Sequence, residues 1–282
     1  MLKKHRYHNL TTAESFVLED KGTEKPGSGI LLHQNAEGIY LCRRCDLPLY
    51  LSSRKFDSGC GWPSFEEEVP GNVHRKMDPD GDRIEILCNR CNGHLGHVFI
   101  GEKLTATNTR HCVNSTSLRF VSALDDSGFP KAIFAGGCFW GVEYFFKKTP
   151  GVLRAEVGYI GGHVANPTYE EVCSGLTGHA EAVQISFDPE KISYQELVNL
   201  FFTLHNPKEK NRQGLDVGSQ YRSAIFAFTE HQRKIALEDL FNVEKKTGKV
   251  ATEVSLASLF YPAEDYHQNY YLKKGIEPSC FV

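Results

Sequence analysis

The sequence predicts two domains of different class, a mostly-β domain over residues 1–124 and an α/β layered domain over 131–282, joined by a short linker at 125–130. Three observations carry this reading. A length of 282 residues suits two ordinary cores. Up to residue 124, short strand-like runs alternate with turn signals and helix-period patterns are scarce. Beyond Asp125-Asp126-Ser127-Gly128-Phe129-Pro130 the texture changes to alternating strand and helix patterns, the signature of a layered α/β or α+β unit.

Composition narrows the function classes. An apolar content of 40% supplies packed cores, and a net charge of −3 with mixed signs gives no electrostatic case for nucleic acid or an acidic membrane. Met1 to Leu10 is basic but lacks the apolar core of a signal peptide, and no stretch is long enough to cross a bilayer. A cytoplasmic protein is expected. Nine cysteines are many for that compartment, where stable disulfides are rare, so metal ligation and redox chemistry are the expected uses.

In the first domain, residues 11–22 could open a short helix, and 38–42, 49–55, 82–88 and 119–122 read as strands. Asp78-Pro79-Asp80-Gly81 is a turn between two strand-like runs, which predicts a hairpin. Cys42-Arg43-Arg44-Cys45 and Cys88-Asn89-Arg90-Cys91 form two knuckles whose four thiolates suit a tetrahedral Zn²⁺ site. Their long separation puts them on separate hairpins pinned by the metal. A redox dithiol is the rival for either knuckle alone, but two in one domain favour structural zinc. Cys60 lies in a Gly/Pro-rich loop with Trp62, and Cys112 lies at a strand beside Arg110, whose charge favours a thiolate. His94 and His97, three apart, are either proton donors or a hydrogen-bonded structural pair.

In the second domain, strands are expected at 131–135, 153–159, 180–187, 221–229 and 250–259, and helices at 139–148, 168–174, 193–205, 230–247 and 264–273. Ser193 with Glu196 is a capping-box pattern. The domain turns on Phe134-Ala135-Gly136-Gly137-Cys138-Phe139-Trp140-Gly141, where a buried strand meets two glycines and a helix start. A thiol in the first helical turn faces unpaired N–H groups and the positive end of the dipole, so a thiolate is expected at Cys138; the competing reading is a buried structural cysteine. Phe139 and Trp140 would wall an apolar pocket. Tyr169, Glu181, Asp216 and Tyr221 recur near strand ends. Glu181 within an apolar strand is either a half-buried acid with a raised pKa or a solvated strand-face carboxylate. Cys280 is in the tail, and Cys173 on an apolar helix pattern reads as packed. The chain's two tryptophans each follow a cysteine by two positions, which suggests two thiol sites with aromatic walls.

Together these motifs resemble two methionine sulfoxide reductase families. Residues from about 10 to 122 are similar to the B type, through the knuckles, the Cys60–Trp62 loop, Gly93 to Phe99, and Arg110 to Phe120. Residues 131–282 are similar to the A type, through Gly137 to Gly141, Gly178 to Glu181, and Asn211 to Ser223. The resemblance implies a B–A fusion: a small β domain with structural zinc, then a sandwich of ferredoxin-like kind, in a protein expected to be monomeric. It implies Cys112 and Cys138 as nucleophiles and Cys60 and Cys280 as resolving thiols. It places Trp62, His94, His97, Arg110 and Asn114 in one site, and Phe139, Trp140, Tyr169, Glu181, Asp216 and Tyr221 in the other. Methionine sulfoxide, free or in proteins, is the implied substrate, with its R epimer assigned to Cys112 and its S epimer to Cys138; thioredoxin is the implied reductant. Two positions depart from the B-type pattern. The acidic residue usual after His-Val-Phe gives way to Ile100-Gly101-Glu102, and the usual aromatic before the nucleophile is His111.

Overall fold

The computed structural model describes residues 6–79 and 81–278, so Asp80 and Cys280 lie outside the described residues. The chain forms two compact units, one over Arg6–Ser122 and one beginning at Ala123. Among the described residues no helix is long and apolar enough to cross a membrane.

The first unit is built on two antiparallel sheets. The smaller runs Pro48–Leu51, Gly38–Cys42, Leu118–Ser122. The larger runs Lys55–Phe56, Ser64–Phe65, Thr109–Val113, His94–Ile100, Ile84–Cys88, Val73–Met77. The predicted hairpin at residues 78–81 joins Val73–Met77 to Ile84–Cys88. The expected strand at 49–55 breaks after Leu51, where Ser52–Arg54 makes a single 3₁₀ turn. Tyr40, Tyr50 and Phe65 fill the core, Phe65 stacked on Tyr50 at 4.3 Å and edge-on to Tyr40 at 4.9 Å. Burial of one such ring contributes about 1.5–3 kcal/mol. One helix, Thr12–Leu18, opens this unit: the Thr11 hydroxyl accepts the Glu14 N–H, and the Glu14 carboxylate accepts the Thr11 N–H. It stops short of residue 22, since Lys21 takes a positive φ of 59°.

The second unit has one six-stranded sheet in the order Glu253–Leu256, Ser223–Ala227, Lys131–Gly136, Ala180–Phe187, Val152–Ile160, Tyr261–Pro262. Only the Ser223–Ala227/Glu253–Leu256 pair is parallel. Helices Phe139–Lys148, Tyr169–Cys173, Tyr194–Thr203 and Glu230–Thr247 stand where the patterns put them. Phe134 from the central strand stacks on Phe146 and Phe201 from two of these helices, at 5.0 and 5.2 Å. The helix expected at 264–273 is reduced to Tyr270–Lys274. Residues before it are drawn elsewhere: Glu264 accepts from Tyr159 Oη and the Tyr169 N–H, and Gln268 donates to the Val157 and Ala263 carbonyls. Residues 125–130 form a tight turn in which the Asp125 carboxylate accepts the Ser127 and Phe129 N–H groups.

Candidate active sites

The four knuckle cysteines converge. Their sulfurs all lie within 4.8 Å of one another, with Cys42–Cys91 and Cys45–Cys88 both at 3.5 Å. Four thiolates around Zn²⁺ at 2.3 Å would stand about 3.8 Å apart, so the donor set fits in size and chemistry. Each knuckle folds the same way. The N–H of Cys42 donates to the Leu47 carbonyl and that of Asp46 to the Cys42 carbonyl; Cys88, Gly93 and Asn92 repeat the pattern. Asp46 and Asn92 take matching positive φ values of 55° and 57°.

A second cysteine cluster lies on the larger sheet of the first unit. Cys112 sits in the strand Thr109–Val113, paired with Ser64 on one side and His97 on the other. Gly96 permits this approach, since a Cβ there would stand 2.0 Å from the Cys112 carbonyl oxygen. The Cys60 loop brings its sulfur to 3.7 Å from that of Cys112. A cavity of about 120 Å³ is lined by Trp62, His97, Phe99, Cys112 and Asn114, and also by Thr23 and Arg83. The Trp62 indole N–H donates to the Glu24 carbonyl at 3.1 Å, and Asn114 bridges the Glu24 N–H and the Leu95 carbonyl.

Each histidine is held by a carboxylate. Glu85 Oε1 lies 2.7 Å from His94 Nδ1 and its other oxygen accepts from Lys21; Asp78 Oδ2 lies 3.0 Å from His97 Nε2 and 3.2 Å from Arg83. His97 lines the cavity, whereas His94 is buried edge-on beside it, its Nε2 without a partner among the described residues. Burial pushes the His94 pKa down in spite of Glu85. Arg83, Asp78 and Glu85 were missed in the sequence; alternation along 83–88 puts Arg83 and Glu85 on one strand face and could have flagged them. His111 points to the opposite face, fully buried, 2.9 Å from Glu68 and 3.3 Å from Tyr50 Oη.

The proton balance of the sulfur pair is uneven. Burial and the neighbouring Cys60 push Cys112 up to about 12, against the opposing pull of Arg110. Burial also pushes Cys60 up, but the Ser58 and Ser64 hydroxyls outweigh it and bring that thiol below its ordinary value.

In the second unit, Cys138 caps the N-terminus of the helix Phe139–Lys148, at the end of the central strand. Gly137 makes the turn with φ +97°, and a Cβ there would meet Gln213 at 2.8 Å. Glu181 comes from the adjacent strand, opposite Tyr159. It is 2% exposed, and its Oε2 accepts the Phe139 N–H at 3.2 Å, one residue from the cysteine. Burial, reinforced by Asp216, raises its pKa to about 8, so the half-buried acid prevails over the solvated alternative. Tyr169 and Tyr221 join this field, their hydroxyl pKa values raised first by burial and then by charges that include Glu181.

The pull toward thiolate expected of the helix start at Cys138 is present but opposed. The Trp140 and Gly141 N–H groups do favour the anion, but burial and the nearby Glu181 outweigh them and push the thiol up to about 12. Phe139 is buried and Trp140 half-buried, as an apolar wall requires. The Trp140 indole stacks on Tyr270 at 3.7 Å and donates to His267 Nδ1 at 3.1 Å. That bond fixes the proton of neutral His267 on Nε2, which is buried without a partner among the described residues. His267 contacts Phe139 and Tyr169 as well, and was missed because no nearby cysteine pointed to it. Cys173 differs from expectation: Val172 takes the core position, while Cys173 is exposed and faces Tyr169.

Comparison with known proteins agrees with this geometry. Residues 130–282 match the family Peptide methionine sulfoxide reductase, and residues 10–122 match the SelR domain. A peptide methionine sulfoxide reductase MsrA of Nautilia profundicola is 50% identical over 151 residues, covering 54% of this chain and 87% of its own. The corresponding protein of Deinococcus radiodurans is 54% identical over 155 residues, covering 54% and 75%. A crystal structure of reduced Mxr1 from Saccharomyces cerevisiae superposes with a TM-score of 0.53 at 34% identity, covering 56% of this chain and 92% of that one.

Proposed function

Because the chain belongs to the peptide methionine sulfoxide reductase family and carries a SelR domain ahead of that unit, we propose that it is a fused pair of reductases. The second unit reduces the S epimer at Cys138, and the first reduces the R epimer at Cys112. The observation that carries the reading is the buried acid Glu181 bonded to the N–H beside Cys138. The 3.7 Å approach of Cys60 to Cys112 supports the same chemistry in the other unit.

The proton inventory suits the reaction. At neutral pH both Cys138 and Glu181 hold their protons, since each titrates above 7. The sulfur of Cys138 attacks the sulfoxide sulfur with the methyl group against Phe139 and Trp140. Glu181 gives its proton to the departing oxygen and takes the thiol proton in return. The products are methionine and a sulfenic acid on Cys138, and no proton is drawn from solvent. In the first unit His97, with His94 behind it, serves as donor to oxygen, beside Arg110 and Asn114. The sulfenic acids then condense with Cys60 and Cys280 into disulfides, releasing water, and thioredoxin reopens them.

Zn²⁺ held by Cys42, Cys45, Cys88 and Cys91 would be structural, because four thiolates leave no open position. The sheet order, and a strand–helix–strand–strand–helix–strand path from Lys131 to Ala227 interrupted by the short helix Tyr169–Cys173 and the ribbon Arg212–Gln213/Asp216–Val217, support a ferredoxin-like reading of the second unit. The test is epimer-resolved reduction with dithiothreitol. Cys138→Ser should abolish S reduction and spare R, and Cys112→Ser should do the reverse. Loss of both activities in either folded variant would mean one shared site.

A further inference from the structure

The strands His94–Ile100 and Thr109–Val113 close a hairpin whose last pairs are Phe99 opposite Arg110 and Ile100 opposite Thr109. Gly101 leads into the turn with φ +95°, its N–H on the Asn108 carbonyl at 3.1 Å. Space is open around it, but that backbone conformation disfavours an acidic side chain there. The next residue supplies the carboxylate. Glu102 folds back across the hairpin and accepts both Arg110 Nε–H and Nη2–H at 2.8 Å. The guanidinium lies over the Phe99 ring at 4.4 Å. Arg110 is 8% exposed while Glu102 is exposed, so the fork reaches from the surface to a buried guanidinium. With two arms engaged, Nη1 remains, buried and without a hydrogen-bond partner among the described residues. An unpartnered charged N–H is costly, and this one belongs to the cation beside Cys112.

We propose that Glu102 is a positioning residue of the Cys112 site: its bidentate grip fixes Arg110 so that the remaining Nη1–H arm serves the sulfur of Cys112 and the oxygen it acquires. This rests on the reading of Cys112 as nucleophile. The groups that face Cys112 are the Cys60 thiol, Arg110, and across the ladder His97 with its partners Asp78 and Arg83. His111, Glu68 and Arg75 stand on the other face of the strand.

The sign of the effect separates positioning from charge. As a charge alone, Glu102 disfavours a thiolate, so its removal would ease ionisation of Cys112. As the holder of Arg110 it favours the thiolate, and its removal would hinder ionisation.

The experiment uses the full-length chain carrying Cys60→Ser, with and without Glu102→Gln. The rate of peptide-resolved alkylation of Cys112 by iodoacetamide is measured from pH 7 to 9, below the value of about 12 to which burial pushes the thiol, where the rate tracks the thiolate fraction. Glu102→Gln should lower that rate about tenfold at each pH, the effect of an upward move of about one pH unit in the thiol's titration. With Cys60 intact, Glu102→Gln should lower kcat for R-sulfoxide about tenfold with KM little changed, and Glu102→Asp should recover part of it. S-sulfoxide reduction by the same molecule serves as the folding control. An unchanged or raised alkylation rate, with S reduction intact, overturns the proposal. Survival of R reduction in Cys112→Ser would instead overturn the reading of Cys112 beneath it.

Discussion

Replacing Glu181 by Gln should inactivate the second unit and stabilise it at once. The amide keeps the size of the acid and an oxygen to accept the Phe139 N–H. It cannot give up a proton, so S-sulfoxide reduction should fall by about 10²–10⁴. Stability should move the other way, with a sign set by linkage. Burial raises the acid from an ordinary 4.5 to about 8 in the folded chain. Between those values the unfolded chain releases the proton and the folded chain keeps it. The native state therefore binds more protons, and stability is full below the lower value and is lost as pH rises toward the upper one. At about 1.4 kcal/mol per pH unit, wild type loses up to ~5 kcal/mol across the window, and the Gln variant does not. Urea unfolding at pH 5, 6.5 and 8.5 measures this. A Trp62→Phe background leaves Trp140 as sole tryptophan reporter of the second unit. The two proteins should nearly coincide at pH 5 and diverge by several kcal/mol at pH 8.5. Parallel profiles over that range would refute the buried, protonated acid.

Three further outcomes are expected. Cys45→Ser should lower both the zinc content and the melting temperature of the first unit, because metal binding contributes directly to folding there; metal-free protein with unchanged melting would contradict this. Cys60→Ser, after reduction, should convert about one equivalent of R-sulfoxide and then stall with thioredoxin, since the sulfenic acid forms before its resolution; normal thioredoxin-driven turnover would reassign the resolving thiol. His267→Leu removes the acceptor of the Trp140 indole and should raise KM for S-sulfoxide about fivefold, the weight of one hydrogen bond; an unchanged KM would leave His267 a packing residue.

The parts of this fold that could be read in the sequence are those governed by local rules. Phe139–Lys148 and Glu230–Thr247 carry helical periodicity, and Ser193 with Glu196 forms the capping box its spacing predicts. The knuckles are equally local, since each closes on its own backbone hydrogen bonds. What escaped depends on register and burial. Cys173 sits on an apolar pattern, yet a helix of five residues has only one inward position here, and Val172 takes it. At Cys138 the N–H groups of the helix start act in the expected direction, and local sequence shows that much. It does not show the cost of burial or the charge of Glu181, a residue 43 positions away that only the sheet brings near.

The proposed proton donors of the two units differ for a physical reason. In the second, a carboxyl group suits the proposed role because it is dry: burial keeps Glu181 protonated near neutrality, and a solvated one would be ionised. In the first, Trp62 in the Cys60 loop lines a cavity that Arg83 and His97 also line, so a charged guanidinium reaches the site. A lone carboxyl there would lose its proton, so the proposal gives the role to imidazoles, with Asp78 and Glu85 holding their orientation. Both carboxylates lie on or beside the hairpin that joins Val73–Met77 to Ile84–Cys88, whereas His94 and His97 belong to the next strand. The His94–Glu85 and His97–Asp78 pairs are therefore products of strand pairing, and no motif contiguous in the chain could have displayed them whole.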